Sequence, residues 1–323
     1  AQMPELGKKK PTIEIPAPAA SAPASPPLVE NYISYGLDEL ASAQALKYIG
    51  SIDKAKEAEL AFALSAQGQH YAALRLARDA VNRGLGSSMP ELWGLVYPLA
   101  WRPIVSAGAT IPGIPEALAY AIIRSESVFD PKAVSYAGAV GLTQLMPATA
   151  AETAKGIGIT KPVLTDPEVN VRIGMTYYSY MLARFGGKPM RAMFAYNAGP
   201  SRMAGWSKES GELPDDILLE TLHIAQPRQY AKNIIQAALA YGKIHYGILP
   251  GKLLDYLVLG KPLEPEAQVQ PISASAPSQT TDAAPVAASA GAPATASVPT
   301  PSAEAPVTNK TPPPEPRPGI SEF

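Results

Sequence analysis

The chain has 323 residues, 27 of them basic and 28 acidic, so its net charge of −1 supplies no bulk field for nucleic acid or for strongly cationic partners. It has no cysteine, which excludes disulfides, zinc–thiolate sites, a thiol nucleophile and a lipid-bearing N-terminal Cys. No uninterrupted apolar run approaches the roughly 18 residues of a membrane span. The three histidines, His70, His223 and His245, lack metal-ligand spacing, so no metal and no cofactor are expected.

Of the 35 prolines, seven lie in residues 1–30 and fourteen in 262–323, and the only aromatic residue in either stretch is Phe323. Segments rich in Pro, Ala and Ser bury too little apolar surface to offset the entropy of ordering, so both ends read as disordered tails. The chain opens on Ala1 rather than Met, read here as the trace of a removed signal peptide. Lys8-Lys9-Lys10 reads as a solubilising patch.

Residues 31–111 are expected to form a short helical linker domain. Ala58, Ala61 and Phe62 recur at helical spacing beside Leu60 and Leu64, and Gln67-Gly68-Gln69 breaks the run. A second run from Tyr71 through Leu74, Leu76, Ala77 and Ala80 to Val81 closes at Gly84, giving a helical hairpin packed beside the next domain. The apolar stretch Leu92 to Ile104 predicts a short helix ending near Pro98. Pro112 and Pro115 then punctuate the chain, and Pro115 suits the first turn of a new helix, where a missing N–H costs nothing. Residues 112–250 read as a second domain of helices, with apolar three-to-four spacing over 169–185, 189–197 and 228–246 and loops over 136–142 and 198–205. A short helical extension, 251–261, precedes the tail 262–323. The fold class is all-α.

In helix 115–126, Leu118 and Ile122 lie four apart on one stripe, and the next turn of that stripe lands on Glu126. A carboxylate on the buried face of a helix is desolvated, which favours its protonated form and suits a general acid near neutral pH. A frayed helix end or a nearby arginine would account for the same residue, and the stripe alone leaves both readings open.

The surrounding motifs narrow this. Glu126-Ser127 is followed by Gly141-Leu142-Thr143-Gln144-Leu145-Met146-Pro147 and then by Ala195-Tyr196-Asn197-Ala198-Gly199-Pro200, with Asp166-Pro167-Glu168, Asn170, Gly174, Tyr177 and Tyr178 between. In this order and at these intervals the motifs resemble the catalytic domain of the soluble lytic transglycosylases, bacterial enzymes that cleave peptidoglycan. The resemblance covers roughly residues 112–247. Tyr97-Pro98-Leu99-Ala100-Trp101 is similar to the helical linker of the periplasmic members.

The resemblance implies a goose-type lysozyme-like fold and a reaction without water. Glu126 would protonate the glycosidic oxygen between N-acetylmuramic acid and N-acetylglucosamine. As carboxylate it would then take the proton of the muramyl C6 hydroxyl, which closes a 1,6-anhydro ring. It implies substrate contacts for Ser127, Ser135, Gln144, Met146, Tyr196 and Asn197, with the Tyr196 hydroxyl helping to hold the acid. In the fourth motif, normally Glu-Thr-Arg-x-Tyr, this chain reads Gln226-Pro227-Arg228-Gln229-Tyr230. Tyr230 is kept, whereas Gln226 loses the charge of the family's sugar-binding glutamate. Thr143 stands where the family usually has Met, a position expected to serve packing.

Two other functions fit the same residues: a hydrolytic muramidase, for which Asp130 and Glu152 are the nearest second carboxylates in sequence, and a wall-binding scaffold without activity. The expected partner is peptidoglycan, as glycan strands bearing stem peptides, met by a monomer in the periplasm or cell envelope. The Pro-rich tails read as spacers, with a cell-wall protein as the alternative contact.

Overall fold

A computed structural model describes residues 27–110, 112–211 and 213–263, and the expectations for 1–26 and 264–323 lie outside them. The secondary structure of the described residues is helical, with no strand beyond two isolated bridges, Val134 with Val140 and Val140 with Leu145.

The first unit comprises α1 (Pro27–Ser34), α2 (Asp38–Ala45), α3 (Lys54–Ala66), α4 (His70–Ala80) and α5 (Leu92–Val96). The Asp53 side chain accepts from the Ala55 amide at 2.8 Å and caps α3, which packs against α4 as the expected hairpin. Ala58, Ala61, Leu64, Leu76, Ala77 and Leu92 form its core. α1 begins at Pro27, inside the stretch read as tail. The short helix expected to end near Pro98 is α5, which ends at Val96; the chain then turns through Trp101 at φ 56°, and α6 (Arg102–Thr110) begins anew. Pro98 accounts for the break, because its ring disfavours helical backbone at the residue before it.

The second unit is built around α7 (Glu116–Ser127). It continues through α8 (Pro147–Gly156), α9 (Pro167–Arg184), α10 (Pro189–Ala198), α11 (Pro200–Ser210), α12 (Asp215–Thr221), α13 (Ala225–His245) and α14 (Pro250–Leu259). Five of these helices, α8 to α11 and α14, begin on a proline. That is why 198–205 is not a loop: only Gly199, at φ 92°, turns the chain before Pro200 starts α11. Every residue from Ala117 to Ile123 is buried, so α7 is a central helix enclosed on all sides and packed along α13.

The two units are joined by polar contacts to the backbone between α5 and α6. Arg124 Nε donates to the Val96 carbonyl at 3.2 Å while its guanidinium lies 4.7 Å from the Tyr97 ring centre. Tyr241 donates to the Pro98 carbonyl at 3.2 Å, and His245 Nε2 lies 2.7 Å from the Tyr97 carbonyl.

One buried carboxyl belongs to the first unit alone. Glu57 on α3 is fully buried, accepts from the Gly50 amide at 2.6 Å and lies 3.1 Å from Arg83. Burial, reinforced by the neighbouring Asp79 carboxylate, pushes its pKa from 4.5 up to about 7. The folded chain thus holds a proton that the unfolded chain releases. This stabilisation is complete below about pH 4.5 and is lost as the pH rises through 7. Urea unfolding at pH 5 and pH 8 is expected to show the protein weakening at the higher pH, with the difference reduced in Glu57→Gln; equal pH dependence in both proteins would refute this.

Candidate active site

α7 delivers Glu126 to solvent. The helix is buried until Ile123, and Arg124, Ser125 and Glu126 are half-buried where it emerges. It ends abruptly because Val128 and Phe129 both adopt left-handed backbone, at φ 51° and 66°, with their side chains buried in the core. Such backbone is uncommon outside glycine, above all for a β-branched residue, and their burial holds it in place. Glu126 opens into a cleft of about 1350 Å³ whose walls include Asn197, Gln226 and Tyr230, together with Trp93 and Tyr97 of the first unit.

Tyr230 on α13 donates its hydroxyl to Glu126 Oε1 at 2.5 Å. Burial first, and the adjacent Glu126 charge second, push the Tyr230 pKa well above the usual phenol value, so the hydroxyl stays a donor. Tyr196, the phenol expected to hold the acid, does something else: its hydroxyl donates to the Thr143 carbonyl at 2.8 Å. Its ring packs 5.4 Å from Tyr177 and 6.2 Å from Tyr178, and burial followed by the Glu126 charge raises its pKa as well. Tyr196 therefore lies within electrostatic reach of the acid without bonding it. The resemblance pointed to the Tyr196 hydroxyl; only the packing of α13 along α7 brings Tyr230, 104 residues away, onto the carboxylate.

The loop after α7 is held by a buried carboxamide. Asn170 on α9 accepts at Oδ1 from the Thr143 amide (2.8 Å) and hydroxyl (2.7 Å), and donates through Nδ2 to the carbonyls of Val140 (3.0 Å) and Leu164 (2.9 Å). Asn170 is fully buried, and these bonds satisfy both ends of its amide. Two glycines make the approach possible. A Cβ on Gly141, at φ 81°, would lie 2.2 Å from the Leu164 carbonyl oxygen, and one on Gly174 would lie 2.3 Å from Thr143 Oγ1. The position read as packing, Thr143, is thus a fully buried polar link in this network.

The remaining expected site residues divide by location. Asn197 and Gln226 line the cleft with Glu126, whereas Ser127, Ser135, Gln144 and Met146 are not among its lining residues. Ser127 Oγ reaches the Leu142 carbonyl at 2.9 Å. Ser135 Oγ accepts from the Ala139 amide at 2.9 Å, and Gln144 Nε2 donates to the carbonyls of Ala133 and Gly141, both at 3.0 Å. Met146, 44 % exposed, precedes Pro147 at the start of α8. Sequence reasoning did not single out Trp93, Tyr97 or Arg124 for the cleft. The aromatic-proline segment at 97–98 was the one signal that this part of the first unit meets the second.

Residues 104–219 match the family model of the transglycosylase SLT domain. The soluble lytic murein transglycosylase of Escherichia coli K12 is 32 % identical over 231 residues, covering 69 % of this chain and 34 % of its own length. Among solved structures, the 70 kDa soluble lytic transglycosylase of Escherichia coli superposes with a TM-score of 0.58 at 28 % identity, over 67 % of this chain and 34 % of that one. An inactive Glu-to-Gln mutant of the lytic transglycosylase Slt of Pseudomonas aeruginosa gives 0.59 at 30 % identity, over 68 % and 35 %. The chain therefore spans about a third of the length of these relatives. Fold and site together define a helical, lysozyme-like domain of the SLT type. The chain thus carries, over residues 104–219, a domain of the transglycosylase SLT family.

Gly174→Ala drives a methyl group into Thr143 and is expected to cost about 1–3 kcal/mol of stability. Thermal unfolding should show the loss, and an unchanged melting temperature would mean that the loop yields freely.

Proposed function

We propose that this protein cleaves the β-1,4 bond between N-acetylmuramic acid and N-acetylglucosamine in peptidoglycan without water, releasing 1,6-anhydro-muropeptides, with Glu126 as the single acid and base. The observation that carries this reading is the Tyr230–Glu126 bond in a cleft with one other lining carboxylate among the described residues. That second carboxylate, Glu220, is mostly exposed and paired with Lys232 at 2.7 Å. A two-carboxylate glycosidase needs its second acid free to act as nucleophile or to activate water, and a solvent-facing glutamate in an ion pair fits that role poorly. One carboxyl used twice fits better.

The steps follow from that assignment. Protonated Glu126 gives its proton to the glycosidic oxygen, and the bond to C1 of the muramyl residue breaks. The substrate's 2-acetamido group stabilises the cationic centre, as in substrate-assisted glycosidases. Glu126, now a carboxylate, accepts the proton of the C6 hydroxyl as its oxygen bonds to C1. Atoms balance without water, and Glu126 ends protonated as it began. A phenol at 2.5 Å favours the carboxylate stage, because its hydrogen bond strengthens as charge develops on Oε1. Asn197 and Gln226 are the polar groups placed to meet sugar along the cleft wall. Peptidoglycan lies outside the cytoplasmic membrane, so the reading puts the protein in the cell envelope.

Mass spectrometry of purified peptidoglycan digests decides the reaction. Products one water lighter than hydrolytic muropeptides are expected, with turnover lowered by about 100- to 10,000-fold in Glu126→Gln. Reducing-end products would make the protein a muramidase, and wall binding without any product would make it a scaffold. Tyr230→Phe removes one hydrogen bond to a charged group and is expected to slow turnover by about 10- to 100-fold with an unchanged melting temperature. Wild-type turnover in that variant would remove Tyr230 from the mechanism.

A further inference from the structure

The cleft extends well past the acid. Along α13 it is lined by Gln229, Asn233, Gln236 and Lys243, which follow one another at intervals of four, three and seven and so share one stripe of the helix. The stripe starts beside Tyr230, which bonds Glu126, and at 1.5 Å per residue its ends lie about 21 Å apart. Gln229 Nε2 donates to Asn233 Oδ1 at 2.8 Å. That bond leaves the Gln229 side-chain oxygen as an acceptor and the Asn233 N–H groups as donors. Arg78, Asn82 and Trp93 of the first unit line the same cleft.

The charge of the cleft is opposite in sign to that of the chain. Five basic and two acidic side chains line it, in a protein of net charge −1. One of the two carboxylates, Glu220, is already paired with Lys232. The half-buried Lys243 ammonium has no hydrogen bond or ion pair among the described residues. A cleft lined by an excess of one charge raises the local concentration of ligands carrying the other. The sugars of peptidoglycan do not carry that charge: N-acetylglucosamine is neutral, and the carboxyl of the muramyl sugar is tied up in the amide bond to its peptide. The carboxylates lie on the peptide stem. Fully extended, a peptide of about five residues spans ~17 Å, close to the length of the stripe.

We propose that the cleft along α13, from Gln229 to Lys243, binds the acidic peptide stem of the muramyl sugar. Lys243 holds a stem carboxylate, and Gln229, Asn233 and Gln236 meet the amide groups before it. This rests on the glycan-cleaving reading above and deepens it, making the charge of the stem a determinant of affinity.

The test uses the Glu126→Gln protein, in which chemistry does not intrude. The probes are peptidoglycan fragments with intact stems, the same fragments with the stem carboxylates converted to amides, and N-acetylglucosamine oligomers. Adding Lys243→Gln is expected to weaken binding of the intact-stem fragments by about three- to tenfold, to leave the other two probes unchanged, and to be rescued by Lys243→Arg. Raising the salt concentration should shrink the difference. In the otherwise unaltered enzyme, Lys243→Gln is expected to raise KM on stem-bearing strands with little change in kcat. Equal affinity for intact and amidated stems before any change at Lys243 would overturn the proposal. So would an equal loss on all three probes with a lower melting temperature, which would mark Lys243 as a structural residue. An unrelated acidic peptide without sugar, bound as tightly as the stem-bearing fragments, would also overturn it and make the stretch a protein-binding surface. If the unaltered enzyme released no product yet Lys243→Gln still showed the stem-dependent loss, the cleavage reading would fail and the stem site would stand.

Discussion

Asn170 is a neutral side chain with no chemistry of its own, yet the position of the loop beside the acid depends on it. Its carboxamide accepts two hydrogen bonds from Thr143 and donates two to the carbonyls of Val140 and Leu164, inside a region closed to water. Removing it would leave these groups buried without partners, which costs more than the bonds themselves contribute. Through Thr143 the network reaches Tyr196, and through Tyr196 the surroundings of Glu126. Gly141 and Gly174 serve the same junction, since any Cβ there would overlap the atoms that make it.

The acid is approached from the other side by α13. Because α7 is enclosed as far as Ile123, Glu126 is held by the helix that carries it rather than by a surface loop. Left-handed backbone at Val128 and Phe129 then turns the chain away at once, leaving the carboxylate at the rim of the cleft. The burial of both side chains over-determines a conformation that would otherwise be disfavoured. Tyr230 completes the arrangement from α13, whose packing along α7 is the most extensive contact in this unit.

The first helical unit is joined to this framework chiefly through backbone carbonyls and aromatic rings. Val96, Tyr97 and Pro98 offer carbonyls to Arg124, His245 and Tyr241, and Tyr97 lies edge-on to Tyr241 at 5.5 Å. The same segment contributes Trp93 and Tyr97 to the cleft wall, so the unit borders the site as well as supporting it.

The residues by themselves determined the all-helical class, the α3–α4 hairpin and Glu126 as the acid candidate, because these rest on local spacing and on three ordered motifs. They also misled in instructive ways. The stripe through Leu118 and Ile122 suggested one buried face, whereas α7 is buried all round; apolar spacing cannot distinguish the two when Ala fills the other face. Pro200 begins a helix where a loop over 198–205 was expected, because Gly199 alone makes the turn. What only the tertiary structure decided is which side chain serves which atom. It gives Tyr230 rather than Tyr196 the bond to Glu126, assigns Ser127 and Gln144 to the loop, and makes Asn170 the junction. The physical reason is that a hydrogen bond is set by distance and direction in space, and residues 104 positions apart acquire these only when α13 packs against α7.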